Sequence, residues 1–230
     1  EVPNGVDFRR FTTPVPEPPD LAGIPHPRIG YVGVIKAQLD LELMSRLVCR
    51  HPEWSFVLVG PIGYIGDKAE HLAALQAAGN VHFLGHKPVE QLPAYTRNMD
   101  VAMLCYSQTD YTNFIYPLKI HESLASGVPV VATPIRSLQA FGEVVDFAST
   151  EQDWSTALSR AVAPESRSDA LRARRRAISQ EFDWDILVCR IARELAARIG
   201  PECVARMPAV DSVRVVLDAG ITAPLAQMGG

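Results

Sequence analysis

The chain lacks the residue patterns that mark a disulfide scaffold or a zinc module. It has four cysteines, Cys49, Cys105, Cys189 and Cys203, and none stands in a C-x-x-C pair. Scattered in this way they argue against both frameworks and read as reduced thiols. No apolar run approaches the about 18 residues that signal a membrane-spanning helix. The opening EVPNGVDFRR has no charged-then-apolar signal pattern. Positive charge is not in excess: 22 Lys and Arg stand against 26 Asp and Glu, a formal net charge of −4. That balance excludes a general electrostatic footprint for nucleic acid or an anionic membrane. No G-x-x-x-x-G-K-[ST] phosphate loop, G-x-S-x-G elbow or H-E-x-x-H helix occurs, and no fixed-period repeat marks a solenoid.

What is present is ordinary globular material, 230 residues with 47% hydrophobic and 21% charged content, enough for one main domain with a real core. Apolar strands alternate with amphipathic helices. The strands are RIGYVGV (28–34), WSFVLVG (54–60), VHFLGH (81–86), DVAMLCY (100–106), VPVVA (128–132) and EVVDFAS (143–149). Helices are expected near 39–50, 68–78, 89–98, 117–126, 151–162, 165–180 and 183–199. Repeated βα alternation predicts an α/β fold, a Rossmann-like parallel sheet with helices on both faces. Ligands of such sheets bind at the carboxyl ends of the strands. The proline-dense residues 1–27 read as an interdomain linker, entering from a domain that precedes Glu1. Residues 28–182 read as the Rossmann-like unit, 183–199 as a closing helix, and 200–230 as a partly disordered tail in which SVRVVL (212–217) offers a strand.

The stretch YPLKIHESLASGVPVVATP (116–134) carries the chemistry. Pro117 suits a first helical position and Gly127 the residue past the end. On a helical wheel Leu118, Ile120, His121, Leu124 and Ala125 share one arc, and Lys119, Glu122, Ser123 and Ser126 the other. His121 therefore reads as a packed histidine rather than a base. Lys119 sits in the first turn, where the helix dipole disfavours a cation. Two readings of Lys119 and Glu122 are open: a weak i,i+3 surface pair, or a phosphate-binding lysine beside a carboxylate that grips a ribose diol.

The chain resembles the C-terminal, donor-binding half of a GT-B glycosyltransferase of the retaining "glycosyl transferases group 1" type. The resemblance runs from VPNGVD through YVGV, WSFVLVGP, NVHFLGH and PLKIHESLASGVPVVATP to FDWDILVCRIARELAARI. It implies that Glu122 binds the ribose, that Lys119 faces the diphosphate, and that Pro117 and Leu118 border the donor. Gly33 would give backbone room for the phosphates, Lys36 stand nearby, and His86 lie where the base is contacted. Lys119 and Glu122 would then be the residues on which transfer depends. Two positions depart from the family pattern: Phe114 stands where a first glutamate is usual, with Asp110 as a nearby stand-in, and Val34 replaces a frequent arginine.

The resemblance implies transfer of a sugar from a nucleoside-diphosphate donor to a hydroxyl acceptor, a glycan or glycolipid, with retention and in surface polysaccharide or glycolipid synthesis. It implies no metal and no cofactor beyond that donor. The acceptor site would lie in the N-terminal domain, outside this chain. A non-catalytic nucleotide-binding or partner subunit with the same fold is the alternative, motivated by Phe114 and Val34. A receiver-like signalling domain is disfavoured, because YVGVIK and FLGHK lack its acidic residues. The expected setting is cytoplasmic. The basic cluster RARRR (172–176) reads as a solvated helix face, with contact to anionic lipid or a partner as its other reading. Tyr111, Phe114 and Tyr116 read either as walls of a sugar pocket or as packed loop aromatics.

Overall fold

The structure is a computed structural model and describes residues 3–199. In chain order the elements are α1 (Phe8–Thr12), α2 (Pro19–Ala22), β1 (Arg28–Val32), α3 (Leu41–Arg50), β2 (Ser55–Val59), α4 (Ala69–Ala77), β3 (Val81–Gly85) and α5 (Leu92–Arg97). There follow β4 (Val101–Leu104), α6 (Asp110–Phe114), α7 (Lys119–Ser126), β5 (Val130–Ala132), β6 (Val145–Phe147), α8 (Glu151–Val162), α9 (Asp169–Gln180) and α10 (Trp184–Ile199). The six strands form one parallel sheet in the order β3-β2-β1-β4-β5-β6. Helices α3, α4 and α8 pack together on one side, and α1, α5, α7 and α9 on the other. This is the Rossmann-like α/β architecture expected from the alternation.

Burial explains why the strands read as continuous apolar runs rather than alternating ones. Every residue of β2, β4 and β5 is buried, because both faces of the sheet are covered. The edge strand β3 is half-buried. Helix starts follow their capping residues: the Asp40 carboxylate accepts from the Leu43 N–H at 2.9 Å, and Thr150 with Asp153 forms a capping box on α8.

Three local expectations shift. Pro117 does not open α7; the helix starts at Lys119, with Leu118 already in helical geometry, and the Pro117 carbonyl accepts from Ile120 N–H at 3.3 Å. Helix ends commonly move by this much when the first turn is tight. The stretch 165–180 divides into a 3-10 turn at Pro164–Arg167 and α9, because Ser168 is extended between them. Residues 1–27 are not uniformly extended: the Asp7 side chain accepts from Arg10 N–H to start α1. Val6 then clips this segment to the entry of α10 through Val6 N–H to Phe182 O at 2.9 Å and Trp184 N–H to Val6 O at 3.0 Å. The tail, with Cys203 and SVRVVL, lies outside the described residues. Cys49, Cys105 and Cys189 are free thiols. No helix among the described residues is long and apolar enough to cross a membrane.

Candidate functional site

The strand order reverses between β1 and β4, so the loops that leave their carboxyl ends diverge and open a crevice. The sequence builds its floor from backbone. Gly33 has φ +148, and a Cβ there would lie 2.0 Å from Lys119 Cε and 2.6 Å from its Nζ. Gly60 has φ +144, and a Cβ there would lie 2.1 Å from the Gly33 carbonyl oxygen. Both positions exclude any side chain, and the absence of one at Gly33 lets the Lys119 stem lie flat against the end of β1.

Lys119 is the first residue of α7 and Glu122 lies one turn on. Both are half-buried, not on a solvated face as the wheel suggests, because α7 packs edgewise against α5 and the sheet. Ser123 and Ser126, on the same polar arc, are buried for the same reason. The Lys119 Nζ stands 5.5 Å from the Tyr31 ring centroid, within cation–π range. Neither the Lys119 ammonium nor the Glu122 carboxylate makes a hydrogen bond or ion pair with another described residue. The surface pair is therefore not formed: no N–O contact of 4.0 Å or less joins them. Nor does any described group accept from the backbone N–H groups of Leu118 and Lys119.

Electrostatics follow from this burial. Loss of water pulls the Lys119 ammonium below its ordinary range, the Glu122 carboxylate pulls it back up, and nearby Lys36 depresses it further. Burial raises Glu122, with Lys119 as the opposing influence. Beneath them Tyr31 and Tyr106 lie at the ends of adjacent strands, and the Tyr31 hydroxyl donates to Val34 O at 3.1 Å. Both phenols are raised first by burial and then by each other's presence or by Glu122. His121 is the packed histidine expected. It is fully buried, lies against Phe182 at 4.3 Å between centroids and bonds the Tyr116 hydroxyl at 3.0 Å, and burial lowers it to about 4.

The other expected residues surround this pair at different depths. Pro117 is buried behind the helix start, Leu118 is exposed at the rim, and Lys36 is exposed on the loop after β1. His86 is exposed just past β3, the edge strand two places from β1. Val34, Tyr111 and Phe114 are exposed, and Arg136 stands 6.0 Å over the Phe114 ring. Tyr116 packs on His121, so of the three loop aromatics it alone takes the packed role.

Three contributors were not singled out in the sequence. Tyr31 and Tyr106 could have been found as tyrosines of two predicted strands, in the middle of RIGYVGV (28–34) and at the end of DVAMLCY (100–106). Lys68 had no signal, since its partners are mostly carbonyls far along the chain. Its ammonium donates to Ala37 O and Leu39 O at 2.7 Å each and to Ser107 Oγ at 2.6 Å. It ties the loop after β1 to the loop after β4 and fixes the crevice floor. Among the described residues no three His, Cys, Asp or Glu side chains are grouped so as to hold a metal ion.

A reversing parallel sheet with a cationic helix start at its carboxyl edge is the C-terminal domain of a GT-B fold. Its likeness to solved structures is one of fold. A trehalose-6-phosphate synthase, OtsA, superposes with a TM-score of 0.58 at 13% identity over 90% of this chain and 51% of that one. The E. coli trehalose-6-phosphate protein bound with UDP-2-fluoro glucose gives 0.56 at 13% identity, covering 82% and 50%. The pneumococcal O-GlcNAc transferase GtfA, solved with UDP and GlcNAc, gives 0.51 at 17%, covering 81% and 37%. The chain belongs to the Glycosyl transferases group 1 family, whose model matches residues 26–164. It is 28% identical over 197 residues to TuaH of Bacillus subtilis (strain 168), provisionally named a teichuronic acid biosynthesis glycosyltransferase. That match takes in 84% of this chain and 49% of the relative, so the chain spans about half the length of the curated protein it matches.

Proposed function

We propose that this chain is the donor half of a retaining glycosyltransferase and binds a nucleoside-diphosphate sugar in the β1–β4 crevice. One observation carries the reading. A lysine and a glutamate are both drawn out of water at the crevice, and neither makes a hydrogen bond or ion pair with another described residue. Such groups are costly to maintain unless a ligand completes them. A diphosphate completes Lys119, the two free N–H groups and Lys36; a ribose diol completes Glu122. Gly33 lets the phosphates approach the backbone, Pro117 and Leu118 border the donor, and exposed His86 is within the β3 rim available to a base.

In the proposed transfer the bond between the sugar C1 and the diphosphate oxygen breaks, and the electron pair leaves with the diphosphate. The acceptor hydroxyl oxygen bonds to C1 on the same face and passes its proton to the departing phosphate oxygen. Lys119 and the start of α7 stabilise the negative charge that develops there. The acceptor, a glycan or glycolipid of surface polymer synthesis, is held by an N-terminal domain outside this chain. TuaH, named for teichuronic acid, supports that setting. Exposed Phe114 and Val34, where polar groups are usual in the resemblance, favour a second reading, a nucleotide-binding partner subunit without turnover.

The test is titration with UDP, GDP or ADP and with the matching nucleosides. Lys119→Ala should weaken the diphosphate by roughly 1.5–3 kcal/mol, as for a charge-assisted bond, while leaving the nucleoside nearly unchanged. Glu122→Gln should weaken both. Equal affinity of wild type and Lys119→Ala for all three diphosphates would refute the site, and assay of the protein together with its N-terminal domain separates transfer from binding alone.

A further inference from the structure

At the amino edge of the sheet, remote from the crevice, a cavity of about 250 Å3 opens between the starts of β4 and β5 and helix α9. Its walls carry Arg97, Arg167, Arg172 and Arg176, and Asp100 is the acidic residue among them. Asp100 is already engaged by the Arg167 guanidinium, by His26 at 2.6 Å and by the Arg28 N–H at 2.7 Å. The RARRR cluster is a solvated face only in part: Arg174 is exposed, Arg172 and Arg176 are half-buried beside α7, and Arg175 is buried.

Part of this arrangement is explained by helix ends. Arg176 donates to Ala125 O at 3.2 Å and Ser126 O at 3.4 Å, capping α7, and Arg97 donates to Phe11 O and Thr12 O at 3.3 and 2.8 Å. Capping does not account for the rest. Each guanidinium has five N–H donors, and Arg172 makes no hydrogen bond to a described residue, only a 3.7 Å ion pair with exposed Asp169. Its stem is nevertheless held in place, since a Cβ on Gly127 would lie 2.3 Å from Arg172 Cγ. Ser126 also lines the cavity; it is 5% exposed, and its Oγ has no hydrogen-bond partner. The two helix C-termini contribute about half a negative charge each, which with Asp100 leaves the walls net positive. Burial first, and then the charges of Arg176 and Arg172, lowers Arg97.

We propose that this cavity is a second anion site that takes a phosphate group, on the opposite edge of the sheet from the Lys119–Glu122 crevice. The positive charge of its walls exceeds the negative charge that faces it, a buried hydroxyl is left to donate, and the Arg172 guanidinium makes no hydrogen bond to a described residue. The volume lies below the ~300–1,000 Å3 of sites for drug-sized ligands, so the occupant is a small phosphoester, a diphosphate or the phosphate end of a lipid headgroup.

The experiment is thermal unfolding and calorimetry of the protein with inorganic phosphate and pyrophosphate, because a ligand of the native state raises the unfolding midpoint. Arg172→Met keeps the stem on Gly127 and removes the charge; Lys119→Ala removes the crevice contribution. Saturable stabilisation is expected in wild type and in Lys119→Ala, weakened at least tenfold when Arg172→Met is added to Lys119→Ala; equal binding by the single and the double variant overturns the proposal. Sedimentation with phosphatidic-acid vesicles, absent with phosphatidylcholine and competed by phosphate, would assign the anion to lipid; no sedimentation alongside phosphate binding would assign it to a soluble phosphoester. No saturable binding to wild type, or binding lost in Lys119→Ala and kept in Arg172→Met, overturns the proposal.

Discussion

His121 shows how one buried side chain sets an acid limit on the fold. Its folded value of about 4 lies below the ordinary 6.5. Between these values the unfolded chain binds the extra proton, so stability rises with pH across that window and is lost as pH falls through it. The full shift corresponds to on the order of 3 kcal/mol at 1.36 kcal/mol per unit. Glu122 acts in the opposite sense: its raised carboxyl holds a proton that the unfolded chain has released, so its contribution falls as pH rises above 4.5. Comparing wild type with His121→Phe cancels the Glu122 share. Urea unfolding at pH 4 and pH 7 should show the difference between the two stabilities in wild type shrinking by about 2–3 kcal/mol in the variant; an unchanged difference would show that His121 is not the titrating group. The packed role of His121 was legible from its place among apolar neighbours on one arc. The depth of Lys119 and Glu122 was not, because a wheel ranks faces by polarity and carries no information on which neighbour covers them.

Helix α7 is bounded more sharply behind than in front. At its start the boundary moved by two residues, since proline tolerates either a cap or a first-turn position. At its end Gly127 has φ +78, the Val128 N–H returns to Ser123 O at 3.0 Å, and the Arg172 stem fills the space a Cβ would need. Gly127→Ala should therefore cost at least the about 1–2 kcal/mol of left-handed backbone, with a further penalty for displacing Arg172. Gly79→Ala is the matched control: Gly79 has no positive φ, and nothing lies within 4 Å of its added Cβ. Denaturant midpoints should fall for the first and hold or rise for the second. Equal effects would mean that neither the left-handed cap nor the arginine packing constrains the helix end.

Across the whole molecule, the parallel sheet and its ligand edge were readable because each strand needed both faces covered and each helix needed one. Strand pairing across the switch point, and the ties that close it, were not. Asp40 N–H to Cys105 O at 3.0 Å and the Lys68 bonds join segments far apart in sequence, where periodicity is silent. The charge arrangement at that edge bears on metal dependence. On the proposed donor role, with Lys119, Lys36 and a helix start available to a diphosphate, transfer by the full-length protein should survive EDTA. Loss of transfer on chelation, restored by magnesium or manganese, would require the donor to be held differently.

The Lys68 tie also bears on how the crevice can be watched. The chain contains four lysines, at positions 36, 68, 87 and 119. Acylating reagents need a free amine lone pair, and Lys68 has all three N–H groups committed to fixed oxygens. It is the slow reference in a labelling experiment, while exposed Lys36 is the fast one. Lys119, whose ammonium is depressed by burial, gives up its proton more readily than an ordinary lysine and stands where a diphosphate would shield it. The ratio of label on Lys119 to label on Lys68, read peptide by peptide in a mass spectrometer, thus reports crevice occupancy without any assay of transfer.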